Sequence, residues 1–133
     1  MNILSIGSKI TLRKISEEIV DKVESINFLE TTTNNFLNWG LSKTKKINYY
    51  SGDITKIDTL INAGLNDSNI IIVHSENDME SLFIAQKSKI NPNSSIFVIL
   101  EDLSLAEIFE SLGFIIFDSH NLKITRLLNK LGN

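Results

Sequence analysis

The sequence predicts an α/β fold: a doubly wound, mostly parallel sheet of six strands with helices on both faces. Three observations predict it. Short apolar runs alternate with helix-like segments along all 133 residues, which is the pattern of βαβ units. Two of the runs, "NIIIV" and "SIFVIL", are apolar at every position after the first instead of alternating, as strands covered on both faces are. The opening stretch "NILSIGSKITLRKI" runs from an apolar strand through one glycine into an amphipathic segment, a tight strand-to-helix turn.

The first strand spans 2–6, and a helix follows over 10–23 with Ile10, Ile15, Ile19, Val20 and Val23 on one face. The second strand is "INFLE", 26–30. A shorter helix over 34–41 carries Phe36, Leu37 and the only tryptophan, Trp39, with Gly40 weakening its end. "INYYSGD", 47–53, is the third strand and its exit loop. "TKIDTLINAGL" is a helix with Thr55 as its cap and Gly64 as its stop. The fourth strand, 69–74, lies in the sheet centre. The next helix starts near Asn77 or Asp78, and Pro92 sits in the loop after it. The fifth strand, 95–100, is also central. A helix from Ser104 ends at Gly113, a short strand covers 114–117, and "SHNLKITRLLNKLG" closes the chain as an amphipathic helix. Two βαβαβ halves give the order 3-2-1-4-5-6, with a ligand site at the carboxyl ends of the first and fourth strands.

The length suggests one domain over 1–133. Hydrophobic residues make up 42% and charged residues 22%, a composition able to form a core. The net charge of -3 offers no basic surplus for nucleic acid or an anionic membrane. There is no cysteine, which excludes disulfides, thiolate metal sites and a cysteine nucleophile. The two histidines, His74 and His120, stand in no metal-ligand spacing. No secretory signal pattern opens the chain, and no apolar run approaches the roughly 20 residues of a membrane helix. The expectation is a cytoplasmic location without membrane insertion.

From 49 to 117 the chain has a characteristic cadence. It reads Gly52-Asp53-Ile54-Thr55, then Ala63-Gly64-Leu65, the apolar strand 70–73, the acidic loop 75–78 and, later, Leu112-Gly113. In this order and spacing the sequence resembles the N-terminal domain of Trk-type potassium-uptake regulators, also called the RCK domain (regulator of K+ conductance). The resemblance covers almost the whole chain, 2–131. It implies a Rossmann fold, dimers or larger rings, and control of a membrane potassium channel or transporter subunit by a bound nucleotide. NAD(H) or an adenine nucleotide is then the candidate ligand.

In the glycine pattern G-x-G-x-x-G, one glycine makes the turn, one admits the pyrophosphate and one lets helix pack on strand. Here it reads Gly7-Ser8-Lys9-Ile10-Thr11-Leu12. Only Gly7 stands. Lys9 sets a Cβ where the pyrophosphate belongs, and Leu12 should push the helix from the sheet. Backbone N–H groups at the helix start, with Ser8 and Lys9, still suit a phosphate. The resemblance makes Glu30 the acidic residue for ribose hydroxyls and Asp53 the aspartate near the adenine edge. The competing readings are a strand-end carboxylate for Glu30 and a turn residue for Asp53. Ser75 faces the site from the fourth strand, where the bulk of His74 would fill ligand space. His120 belongs to the cap region of the last helix. Glu101 would repel a phosphate. The candidate binding residues are therefore Gly7, Ser8, Lys9, Glu30, Asp53 and Ser75, and no catalytic or metal residue is expected.

Three functions compete. The first is a non-catalytic regulatory module of potassium transport that acts as a homodimer; Leu122, Ile124, Leu127, Leu128 and Leu131 of the last helix either cover the sheet or, where in surplus, leave an apolar stripe for a partner. The second is a small NAD-dependent oxidoreductase or nucleotide-binding sensor. Against the oxidoreductase, there is no Tyr-x-x-x-Lys pair; nor is there a G-x-S-x-G elbow for any other catalyst. The third is a phosphorylation receiver, which needs an acidic cluster after the first strand, where Ser5, Gly7 and Ser8 stand instead. The sequence favours the first.

Overall fold

A computed structural model describes residues 1–40 and 46–132. Six strands form one sheet: β1 (Asn2–Ile6), β2 (Ser25–Glu30), β3 (Ile47–Ser51), β4 (Ile70–Val73), β5 (Ser95–Leu100) and β6 (Ile115–Asp118). Their order is β3-β2-β1-β4-β5-β6, as the sequence predicts, and all five pairings are parallel. Register is set by apolar pairs such as Ile3 with Ile26 and Ile3 with Ile70.

Among the described residues, four α-helices lie between strands, α1 (Ile10–Ile19), α2 (Ile57–Asn62), α3 (Asp78–Ser88) and α4 (Ala106–Ser111), and a fifth, α5 (Thr125–Lys130), follows β6. Successive strand residues face opposite sides, so the sheet feeds two cores. On one face Ile3, Phe28, Ile72 and Phe97 pack against Leu12, Ile15 and Ile19 of α1 and Leu127 of α5. On the other, Leu4, Ile6, Ile71 and Val98 pack against Leu60 of α2, Ile84 of α3 and Phe109 of α4. Among the described residues, no helix is long and apolar enough to cross a membrane.

The strands follow the sequence reading to within a residue or two, except for the exit loop counted with β3, while the helices are shorter. The expected helix over 34–41 is a 3-10 turn, Thr33–Phe36, whose opening residue Thr32 accepts a hydrogen bond from the Asn34 N–H. That bond caps the start of the turn. Leu41 lies outside the described residues. Aromatic packing anchors this segment: Trp39 meets Phe28 edge-on at 5.1 Å and Phe36 at 4.9 Å. Each such pair contributes about 0.5–1.5 kcal/mol beyond its buried area.

The first helix ends at Ile19 and continues as a 3-10 turn, Val20–Lys22. Thr55 does not cap α2. Its N–H and hydroxyl both donate to Asp53, and α2 starts after Lys56 with no side-chain cap. The helix expected from Ser104 begins as a 3-10 turn, Leu103–Leu105, because Asp102 accepts from the Ser104 N–H. The last helix starts only at Thr125, since Asp118 draws the His120 N–H into a turn. Gly64 stops α2 as expected. Its φ is +101°, and a Cβ there would lie 2.7 Å from the Asn27 amide nitrogen, which donates to the Ala63 carbonyl.

Candidate functional site

At the carboxyl edge of the sheet, β1 and β4 lie side by side, yet their connections part. The helix after β1 packs on one face and the helix after β4 on the other. Such a switch point opens a crevice. Here the crevice is drawn together by the residues on its two sides.

Gly7 leaves β1 with φ +119°, and a Cβ at this position would stand 2.1 Å from the His74 carbonyl oxygen. No side chain fits that approach, so Gly7 is required by packing alone. Its N–H donates to the Leu29 carbonyl at 2.9 Å. The Leu12 Cδ1 lies 3.2 Å from the same Cβ position. Leu12 is only 1% exposed and belongs to the core that holds Ile3 and Phe28. The expected wedge between helix and sheet is instead a core residue that fills the space beside Gly7.

The His74 side chain, 2% exposed, spans the crevice. Its Nε2 lies 2.8 Å from Glu101 Oε1, and its Nδ1 lies 2.5 Å from the Thr11 hydroxyl. An ionised carboxylate only accepts, so Nε2–H donates to Glu101 and the Thr11 hydroxyl donates to Nδ1. Both ring nitrogens are satisfied by the neutral imidazole. Burial holds the His74 pKa below its ordinary value, and Lys9 pushes the same way. The hydrogen bond and charge of Glu101 oppose them.

Glu101 is in turn fixed from several sides. The Ser119 hydroxyl donates to Oε2 at 2.7 Å, and the His120 Nε2 lies 3.3 Å from the same oxygen. The Ser119 and His74 hydrogen bonds hold its carboxyl below the usual range. Asp78, in the first turn of α3, accepts the N–H groups of Glu101 and Asp102 at 3.0 Å each. Lys9 and Glu76 form an exposed ion pair at 3.6 Å between the loops that leave β1 and β4.

The TrkA-N domain family matches residues 11–120. The chain belongs to this family. Solved structures with the same fold include the TrkA-N domain of inner membrane protein ybaL from Escherichia coli, at 16% identity and TM-score 0.74, covering 99% of this chain and 96% of that one. The Kef CTD of Shewanella denitrificans in AMP-bound form matches at 15% identity and TM-score 0.72, over 100% and 83% of the two chains. The GsuK channel bound to NAD matches at 14% identity and TM-score 0.71 over 97% of this chain, which spans 22% of the channel chain. No curated protein sequence matches.

Against this family background, each expected site residue of the TrkA-N domain has a definite place. Ser8 donates to Glu30 Oε2 at 2.9 Å, and the other Glu30 oxygen accepts the Thr31 N–H at 2.8 Å. Glu30 is 6% exposed, so it is not the water-facing strand-end carboxylate of the competing reading. Ser75 is buried, and its N–H and hydroxyl turn inward to Ser81. Asp53 is exposed and bonds within its own turn to Thr55, which holds its pKa down. The structure thus links Gly7, Ser8 and Glu30 into one group and ties Lys9 across the crevice. Asp53 and Ser75 have hydrogen bonds only to neighbours in their own loop and helix.

These residues do not fit a dinucleotide in its usual pose. The Gly7 N–H and both Glu30 oxygens have partners within the chain, Lys9 pairs with Glu76, and His74 bridges the crevice. Sequence reasoning missed Thr11, Ser119 and the bridging role of Asp78. It placed His120 at a helix cap, whereas the side chain approaches Glu101 and α5 begins five residues later. Nothing local signals Thr11, because its partner lies 63 residues away.

Proposed function

We propose that this TrkA-N domain is a non-catalytic regulatory module of a potassium channel or transporter system, with its crevice held closed by its own side chains. The observation that carries the reading is the Thr11–His74–Glu101 chain across the switch point. Groups that would meet a nucleotide meet each other instead. A catalytic role for the same trio is disfavoured by burial, since both the Thr11 hydroxyl and the imidazole are shielded. The GsuK channel and the human SLO3 gating ring, a 12% identical structure, support a membrane channel or transporter as the partner and a cytoplasmic location.

The domain works in this reading as a homodimer. The leucines of α5 and its flanks do not supply the surface, because Leu127 is buried and Leu122, Leu128 and Leu131 pack against the core. Exposed apolar residues on the opposite face of the sheet include Ile57 and Ile61 of α2, Met79 and Phe83 of α3, Ile90 just after α3, and Ile108 of α4. Along α3 and the turn that follows it, Met79, Phe83, Gln86 and Ile90 recur at spacings of four, three and four, the seam of a helix pair. An antiparallel second copy sets the acidic first turn of one α3 against the basic last turn of the other.

A second reading, a nucleotide sensor, is favoured by the NAD and AMP of the GsuK and Kef structures. A thermal-shift panel with NAD, NADH, ATP, ADP and AMP decides between them. A ligand at a hundredfold over its dissociation constant adds about 2.7 kcal/mol. We expect no shift across the panel. A clear shift for one nucleotide, lost in Glu30→Ala, would replace the closed scaffold with the sensor.

A further inference from the structure

The other end of the sheet carries a different surface. Two adjoining clefts of about 400 and 300 Å³ share Ile115 and Lys130. They lie where β5 and β6 begin, at the edge opposite the crevice. Arg126 and Lys130 line one, and Lys89 and Lys130 line the other, with no carboxylate lining either. Among the described residues, no ion pair engages these three cations. Lys89 rests over the Phe114 ring at 4.8 Å. In a chain of net charge -3, this is a local reversal of sign.

The same clefts flank an open edge. β6 has β5 on one side and no strand on the other. An edge strand presents unpaired N–H and C=O groups, and proteins commonly blunt it with lysine, proline or a bulge. β6 reads Ile115-Ile116-Phe117-Asp118, with no proline and no lysine. Ile115 and Ile116 are half-buried.

We propose that β6 receives an extended, acidic segment of a partner protein as a seventh strand. The segment's main chain pairs with the β6 edge, and its carboxylates meet Lys89, Arg126 and Lys130. Strand addition of this kind takes affinity from the main chain and selectivity from side chains at every second position. The cations stand in two clefts on either side of Ile115 rather than converging on one point. A string of carboxylates matches that spread better than a single phosphate does. The site is separate from the switch-point crevice and does not depend on whether a nucleotide binds there.

The test is fluorescence anisotropy with a fluorescein-labelled heptapeptide of alternating glutamate and valine. We expect saturable binding that weakens at least tenfold in the R126E/K130E double variant. We expect the R126Q/K130Q variant to fall between. Both positions are exposed, and unchanged circular dichroism will show that the variants fold. A peptide methylated on alternate backbone nitrogens should not bind, and a lysine–valine heptapeptide should not bind. In 15N spectra the shifted amides should cluster at 113–118. Undiminished binding of the methylated peptide means attraction without strand pairing and overturns the proposal. So does binding that survives charge reversal, full displacement by millimolar inorganic phosphate, or no binding at low salt.

Discussion

His74 sits where three parts of the chain meet: the first turn of α1, the end of β4 and the exit of β5. Its neutral ring is kept by burial, and that makes stability depend on pH. Unfolding releases the imidazole to protonate at its ordinary value of 6.5. Its folded pKa is lowered, so its contribution is complete above 6.5 and is lost as pH falls through the folded value. Glu101, ordinarily 4.5, is also lowered, so its contribution is present above 4.5 and lost below. We expect the urea midpoint to be level above pH 7 and to fall in two stages below 6.5. In His74→Gln the upper stage should vanish, and about 1–3 kcal/mol should be lost at pH 7 through unmatched hydrogen bonds. An identical pH slope in the variant would remove His74 from this role. The sequence displays Lys9 and Leu12 as departures from the glycine pattern and Glu101 as a carboxylate that would repel a phosphate. It does not display the Thr11–His74–Glu101 network, because its members are brought together by topology alone.

At the scale of elements, strands were legible and helix ends were not. β4 and β5 announce themselves because buried parallel strands admit little but apolar residues. Helix ends are decided by single side-chain bonds. Asp53, Asp102 and Asp118 each fold the chain into a local turn just where the apolar period suggests a helix is starting. Of the two readings of the last helix, its apolar residues take the one that covers the sheet, while α3 is apolar on both its sides, which a helix at a free surface avoids. Phe83 is 49% exposed and stands at the middle of that seam. Phe83→Glu should therefore convert a dimer to a monomer in sedimentation equilibrium while moving the melting temperature little. A wild-type chain that stays monomeric at high micromolar concentration would end the α3 pairing.

Across the whole molecule, the two cores share every strand, so the chain should unfold as one cooperative unit. Trp39 reports on the first core through Phe28 and Phe36, and far-ultraviolet circular dichroism reports on all elements. The two denaturation curves should coincide. An earlier fluorescence transition would mean that 31–40 opens separately. The strand order also has a consequence for synthesis. Of the six strands, β1 leaves a ribosome before the others, and β2 follows closely. Its other neighbour, paired from Ile3 to Ile70, is far behind. At roughly 5–20 residues per second, Ile6 waits on the order of 3–13 s before Val73 arrives. For that interval the apolar middle of the finished sheet is an unprotected margin of the nascent chain. That is the stage at which chaperones have most to hold.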